Sequence, residues 1–200
     1  MKQLLIATRS KGKFPEIASL LAGLPFALVS LADIAGIPRE YEVEEPALTF
    51  EGNAIIKAMT LGRKSALLTL ADDSGLEVDA LGGRPGVRSA RYAPGSDADR
   101  CRALLEELRG KPQSGRTARF RCVVAAYDPI REKVRTREGI MEGYIAEEPR
   151  GEGGFGYDPI FVSAELGKTT AELSMSEKNE VSHRGKAFRA MREVMVEEFV

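Results

Sequence analysis

Leu67-Leu68-Thr69-Leu70-Ala71-Asp72-Asp73-Ser74-Gly75-Leu76-Glu77-Val78-Asp79-Ala80-Leu81 decides how the rest of the chain is read. Residues 67–70 are an apolar run and predict a buried strand. Two adjacent carboxylates stand at its mouth, where they repel one another and lose hydration. A fold bears that cost where a cation, or chemistry, shares the place. Behind the acids, apolar and acidic residues alternate, which predicts a second short strand over 76–81. Upstream, Thr49 caps a helix from Phe50 to about Arg63, with Glu51 in its first turn. Downstream, residues 96–99 open a helix through Leu108 that Gly110 and Pro112 stop.

The same pattern extends to both ends. Residues 4–7 predict a first strand and residues 8–13 a polar loop. A helix follows, with Pro15 in its first turn and Phe14, Ile17, Ala18, Leu21 and Leu24 on its apolar side. Residues 26–29 predict a second strand, and 37–47 an acidic loop between Pro38 and Pro46. Residues 117–127 and 133–144 predict an antiparallel hairpin about Asp128-Pro129. Residues 151–159 are a glycine-dense loop, and a last helix starts near His183. Strands interleaved with helices predict an α/β fold with a mixed sheet, in a single domain over residues 1–200.

Composition narrows the partners. With 29 Lys+Arg against 30 Asp+Glu, nothing steers the chain globally to nucleic acid or membrane. A small polyanion stays open, since a few placed cations suffice for it. Cys101 and Cys122 lack a metal-ligand spacing and read as buried, reduced thiols. No signal-peptide pattern is visible, and no apolar run nears the ~20 residues that span a bilayer. The expectation is a soluble cytoplasmic protein.

Six short stretches carry polar chemistry. Thr8, Arg9, Ser10, Lys11, Gly12 and Lys13 combine hydroxyls, cations and a helix start, which favours phosphate, although a solvated turn has the same composition. A P-loop is excluded, because Ala7 stands where its first glycine belongs. Glu44, Glu45, Asp72 and Asp73 are candidate ligands for Mg2+, which takes a few carboxylate oxygens and completes its shell with water and substrate phosphates. Asn53 and Lys57 share one helix face. Phe155, Gly156, Tyr157 and Asp158 offer a close backbone approach and an aromatic face for a flat ligand. His183, the only histidine, lies beside Arg184. Asp73-Ser74-Gly75 also matches the D-[ST]-G of aspartic proteases, but that match leaves the lysines and residues 153–159 idle. No G-x-S-x-G elbow supports a serine hydrolase.

Taken in order, ATRSKGK at 7–13, LTFEGNAIIKA at 48–58, ADDSGLEVDALGGRPGVRSARYA at 71–93, GGFGYDPIF at 153–161 and EKNEVSHRGKA at 177–187 resemble the inosine/xanthosine triphosphate pyrophosphatase family across nearly the whole chain. The resemblance implies an elongated mixed sheet with flanking helices, two lobes around a central cleft, a homodimer and Mg2+ dependence. It implies cleavage of ITP, dITP and XTP between the α and β phosphates. By position, residues 8–13 correspond to the phosphate-binding loop with Lys13 as its cation, and Lys57 to a phosphate-binding lysine. Glu45 corresponds to a metal-binding acid, Asp72 and Asp73 to the catalytic pair, with Asp73 also a metal ligand. Ser74 matches a substrate contact, and Phe155, Gly156, Tyr157, Asp158, Lys178, His183 and Arg184 match the nucleoside-recognising positions. One departure is that the family loop reads T-x-N-x-x-K, whereas Ser10 stands here in place of the asparagine.

Overall fold

The computed structural model describes every residue except Lys11, Arg39 and Glu40. The expected contribution of Lys11 to the phosphate loop lies outside the described residues. Among the described residues, six strands form one sheet in the order β2-β1-β3-β4-β5-β6, with β1 (Lys2–Ile6) parallel to both β2 (Phe26–Ser30) and β3 (Leu68–Val78). β4 (Thr117–Asp128) and β5 (Lys133–Ile145) are joined by the short connection 129–132. β6 (Phe161–Ser163) pairs antiparallel with β5. The α/β expectation with a mixed sheet and flanking helices holds.

Strand β3 corrects the expectation of an acid pair beyond a strand end. It runs unbroken through Asp72 and Asp73, and residues 79–81 form a 3-10 turn rather than more strand. Consecutive residues of a strand point to opposite faces, so each acid faces a different neighbourhood and can take its own cation. That is why the ladder tolerates both, with only 3% and 7% of their surfaces exposed.

Helix α1 (Lys13–Leu20) begins one residue earlier than expected and stops short of Leu24. Leu21 and Leu24 remain buried, and Gly23 adopts a left-handed φ of 81° as the chain turns toward β2. Helix α2 (Phe50–Ser65) starts where Thr49 Oγ1 accepts from Gly52 N, as its capping position requires. Helix α3 (Asp97–Glu107) is closed by a Ser96–Asp99 capping box. Helix α4 (Met175–Val181) was not foreseen, although Ser174 and Glu177 make the same box. Helix α5 is His183–Glu198. Among the described residues no helix is long and apolar enough to cross a membrane.

The chain packs as two compact units. One comprises residues 1–73, 122–139 and 186–200, and its core gathers Leu4, Ile6, Ile17, Leu70, Val124 and Phe188. The other comprises residues 74–121 and 140–185, around Leu76, Leu104, Phe120, Ile160 and Phe161. Each has a buried apolar centre of its own, with Cys122 in the first and Cys101 in the second.

Candidate functional site

In the first unit, the acids of β3 meet lysines from α1 and α2. Lys13, the first residue of α1, places Nζ 2.8 Å from Asp72 Oδ2. Cys122 Sγ lies 3.9 Å from the same oxygen. Lys57 Nζ stands 3.1 Å from Asp73 Oδ1 and 3.2 Å from Glu45 Oε1. Asn53, one turn before Lys57 and fully buried, donates Nδ2 to Asp73 Oδ2 at 3.2 Å. Its Oδ1 accepts from Ala47 N at 2.9 Å, which ties the segment after Glu45 to the start of α2. The shared face expected for Asn53 and Lys57 is therefore the face turned to Asp73.

These charges are coupled. Burial raises the Asp73 pKa above the usual carboxylate value and Glu45 adds to the rise, while Lys57 and the Asn53 hydrogen bond pull against it. Burial works to lower the Lys57 pKa, but Asp73, Asp72 and Glu45 outweigh it and hold the ammonium above its ordinary value. Asp73 is thus a carboxylate of raised basicity beside a lysine that keeps its charge.

The loop before α1 is built on its own hydroxyls. Thr8 Oγ1 accepts from Ser10 N at 3.2 Å, and Ser10 Oγ accepts from Lys13 N at 3.3 Å, so the serine serves the first turn of α1. Gly12 directly precedes the helix. Arg9 donates to the carbonyls of Pro38 (2.8 Å) and Tyr41 (3.0 Å), which commits its guanidinium to the protein backbone. Glu44 is exposed and stands outside the cluster, whereas Glu45 is inside it.

Divalent-metal chemistry can be tested on the donor set. Among the described residues, no three His, Cys, Asp or Glu side chains converge into a closed metal centre. Glu45 and Asp73 do converge, on the ammonium of Lys57, so two hard oxygens already face one cationic position. Two carboxylates with the rest of the shell left to water and phosphate suit Mg2+. The residues fit the ion.

The second unit holds an aromatic and cationic cluster. Lys178 Nζ sits 4.8 Å and Arg184 Cζ 5.5 Å from the centre of the Phe155 ring, within cation–π range. Arg184 also donates to Ser74 Oγ at 3.2 Å. The His183 ring stacks on Phe120 with centroids 4.7 Å apart. Asp158, 4% exposed, accepts from Lys178 Nζ at 2.7 Å, from Phe155 N at 2.8 Å and from Thr170 Oγ1 at 2.9 Å. Its carboxylate therefore works inside the protein. Tyr157 is buried and donates its hydroxyl to Ser89 O at 2.9 Å, and burial pushes its phenol pKa up. Gly156, at φ 63°, donates its N–H to Asp97 Oδ2 at 2.7 Å. Phe155, Lys178, Arg184 and Ser74 are thus brought together. Tyr157 and Asp158 stand behind them as supports.

Asp97 and Thr170 were missed as supports. Asp97 read as a helix-start acid, and no spacing in the sequence links Thr170 to Asp158 across twelve positions. Chemically, one cluster is a base beside fixed cations, which suits a phosphate ester or anhydride. The other is a ring with cationic donors, which suits a flat heterocycle bearing acceptor oxygens.

Comparison with known proteins is consistent with that chemistry. The model of the Ham1 family matches residues 4–194. A dITP/XTP pyrophosphatase of Bacillus licheniformis is 47% identical over 193 residues, covering 96% of both chains. One from Geobacter sulfurreducens is 49% identical over 195 residues, again covering 96% of both. Among solved structures, a HAM1 protein from Coxiella burnetii superposes with a TM-score of 0.88 at 40% identity, covering 98% of this chain and 100% of that one.

Proposed function

The chain belongs to the Ham1 family, and from that premise we propose that it hydrolyses ITP, dITP and XTP to the monophosphate and pyrophosphate. The observation that carries this is the buried Asp73 carboxylate, held by Asn53 and Lys57 beside Glu45. Asp73 takes a proton from a water molecule as its oxygen attacks the α phosphorus. The bond from the α phosphorus to the bridging oxygen breaks, and pyrophosphate leaves with the electron pair. Lys13 and Lys57 supply fixed positive charge along the phosphates, most effective where water is excluded. Asp72 holds Lys13 in place, and the hydroxyls of Thr8 and Ser10 with the backbone of Arg9, Ser10 and Gly12 line the phosphate loop.

Glu45 and Asp73 would hold Mg2+, which when bound neutralises charge on the phosphate oxygens. The purine stacks on Phe155, with Gly156 allowing close approach. A 6-keto oxygen accepts from Lys178, His183 or Arg184, and Ser74 supports Arg184. A 6-amino group would leave those donors unpaired, and a site built for hydrogen bonding rejects such a mismatch by ~10⁴-fold. Residues 1–200 act as one catalytic domain, in a homodimer located in the cytoplasm where the nucleotide pool is cleansed.

The deciding assay is pyrophosphate release from ITP, dITP, XTP, GTP, ATP and dTTP, with Mg2+ and then with EDTA. Release from the first three, abolished by EDTA, is the expected outcome. Tight ITP binding without release would sink the hydrolase assignment.

A further inference from the structure

We propose that Thr170 is a positioning residue for purine recognition: by fixing Asp158 it fixes Lys178 against the Phe155 ring. This rests on the assignment of Phe155 and Lys178 to the base. The two oxygens of Asp158 have separate tasks. Oδ2 accepts from both Lys178 Nζ and Phe155 N, while Oδ1 accepts from Thr170 Oγ1 at 2.9 Å. The Thr170 hydroxyl also lies 3.1 Å from the Asp158 carbonyl, and the residue is 2% exposed. A carboxylate turns readily about its last bond, since that torsion is broad. Anchoring Oδ1 removes the freedom, so Oδ2 stays aimed at the ammonium and the amide together.

The anchor stands on a rigid base. Thr170 opens a 3-10 turn, Thr170–Glu172, whose start is closed by a Thr169–Glu172 capping box. Ala171 N donates to Asp158 O at 3.2 Å, and Gly153 N to Ala171 O at 3.1 Å. A Cβ on Gly151 would meet the Ala171 carbonyl carbon at 2.6 Å, and one on Gly153 its oxygen at 2.8 Å. Only glycine lets the two segments lie so close. Their register is therefore kept by backbone, and the Thr170 hydroxyl is left to set the aim of the carboxylate.

The experiment compares Thr170→Val, which keeps the shape without the hydroxyl, with Thr170→Ser, which keeps the hydroxyl. Two quantities are read: KM and kcat for dITP, and hydrogen exchange at the Phe155 amide. Loss of a hydrogen bond to a buried carboxylate corresponds to about tenfold in an equilibrium. Valine is expected to raise KM about tenfold with a much smaller change in kcat, and to speed Phe155 exchange. Serine is expected to restore both. Thr170→Ala carries the same expectation as valine should the valine variant not fold. Unchanged KM and unchanged Phe155 exchange in the hydroxyl-free variants would overturn the proposal, and so would equal damage by serine. If the wild-type protein releases no pyrophosphate from dITP, the substrate assignment fails by itself. Phe155 exchange in the variants then still decides whether Thr170 sets Asp158.

Discussion

Asp72 and Asp73 are chain neighbours with different work. Asp72 is 3% exposed and bound to Lys13, so it is a counter-ion, while Asp73 has a base's environment beside Lys57 and Asn53. Asp73→Asn keeps the shape and the Asn53 neighbour but cannot accept a proton. It is expected to lower kcat by about 10²–10⁴-fold while leaving ITP affinity largely intact. Single-turnover assays beside calorimetric titration with ITP separate the two. A variant that turns over at the wild-type rate would remove Asp73 from the base role. At this scale the residue types in the sequence singled out groups that the fold does bring together, Lys57 with Asp73 and Phe155 with Lys178 and Arg184. The sequence was silent on Tyr157 and Asp158 as supports, because their partners Ser89, Thr170 and Lys178 come together only through folding.

Elements were legible where caps and periodicity agreed. Thr49 and Ser96 marked the starts of α2 and α3, and the long hairpin strands β4 and β5 were visible within a residue or so of their ends. Strand β3 was cut in two because adjacent acids look like a terminus; only the cations from α1 and α2 explain why the strand continues. Helix α4 escaped because its seven residues carry too short an apolar pattern, despite the Ser174–Glu177 box. Gly62, buried in α2, gives a test of how the helix seats on β4. A Cβ there would come within 2.6 Å of Tyr127 Cδ1, and that ring is fully buried and fixed by Arg63 Nε at 3.1 Å from its hydroxyl. Alanine in mid-helix gains about 1 kcal/mol over glycine, whereas overpacking a rigid core costs about 1–3 kcal/mol. Gly62→Ala is therefore expected to lower stability on balance, by about 1 kcal/mol, in urea titration. A more stable variant would mean that Tyr127 can move.

At the scale of the whole molecule, each unit contains one thiol in its apolar centre. Cys122 is 0% and Cys101 4% exposed, and burial pushes the Cys101 pKa up to about 11. The Cys101 thiol is therefore not ionised near neutral pH, and burial puts both thiols out of reach. Neither cysteine is expected to react with maleimide at pH 7 until its own unit opens, and mass spectrometry along a urea series would time the two openings separately. Labelling of either at the rate of a free thiol in native buffer would contradict its burial. Apolar periodicity does not mark where one compact unit ends and the other begins, since no linker, composition shift or glycine-rich hinge lies there; two lobes were implied only by the family resemblance.

That boundary is crossed at 73/74, 121/122, 139/140 and 185/186. Three of those crossings fall inside β3, β4 and β5, and the fourth inside α5. Neither unit is a contiguous stretch of gene, and every cut that would free one severs a regular element instead of a loop. The half bearing Phe155 and Lys178 cannot be exchanged as a cassette by recombination, nor released intact by a protease. A lineage that changes the residues around Phe155 and Lys178 must do so one codon at a time, within elements whose two ends belong to different units.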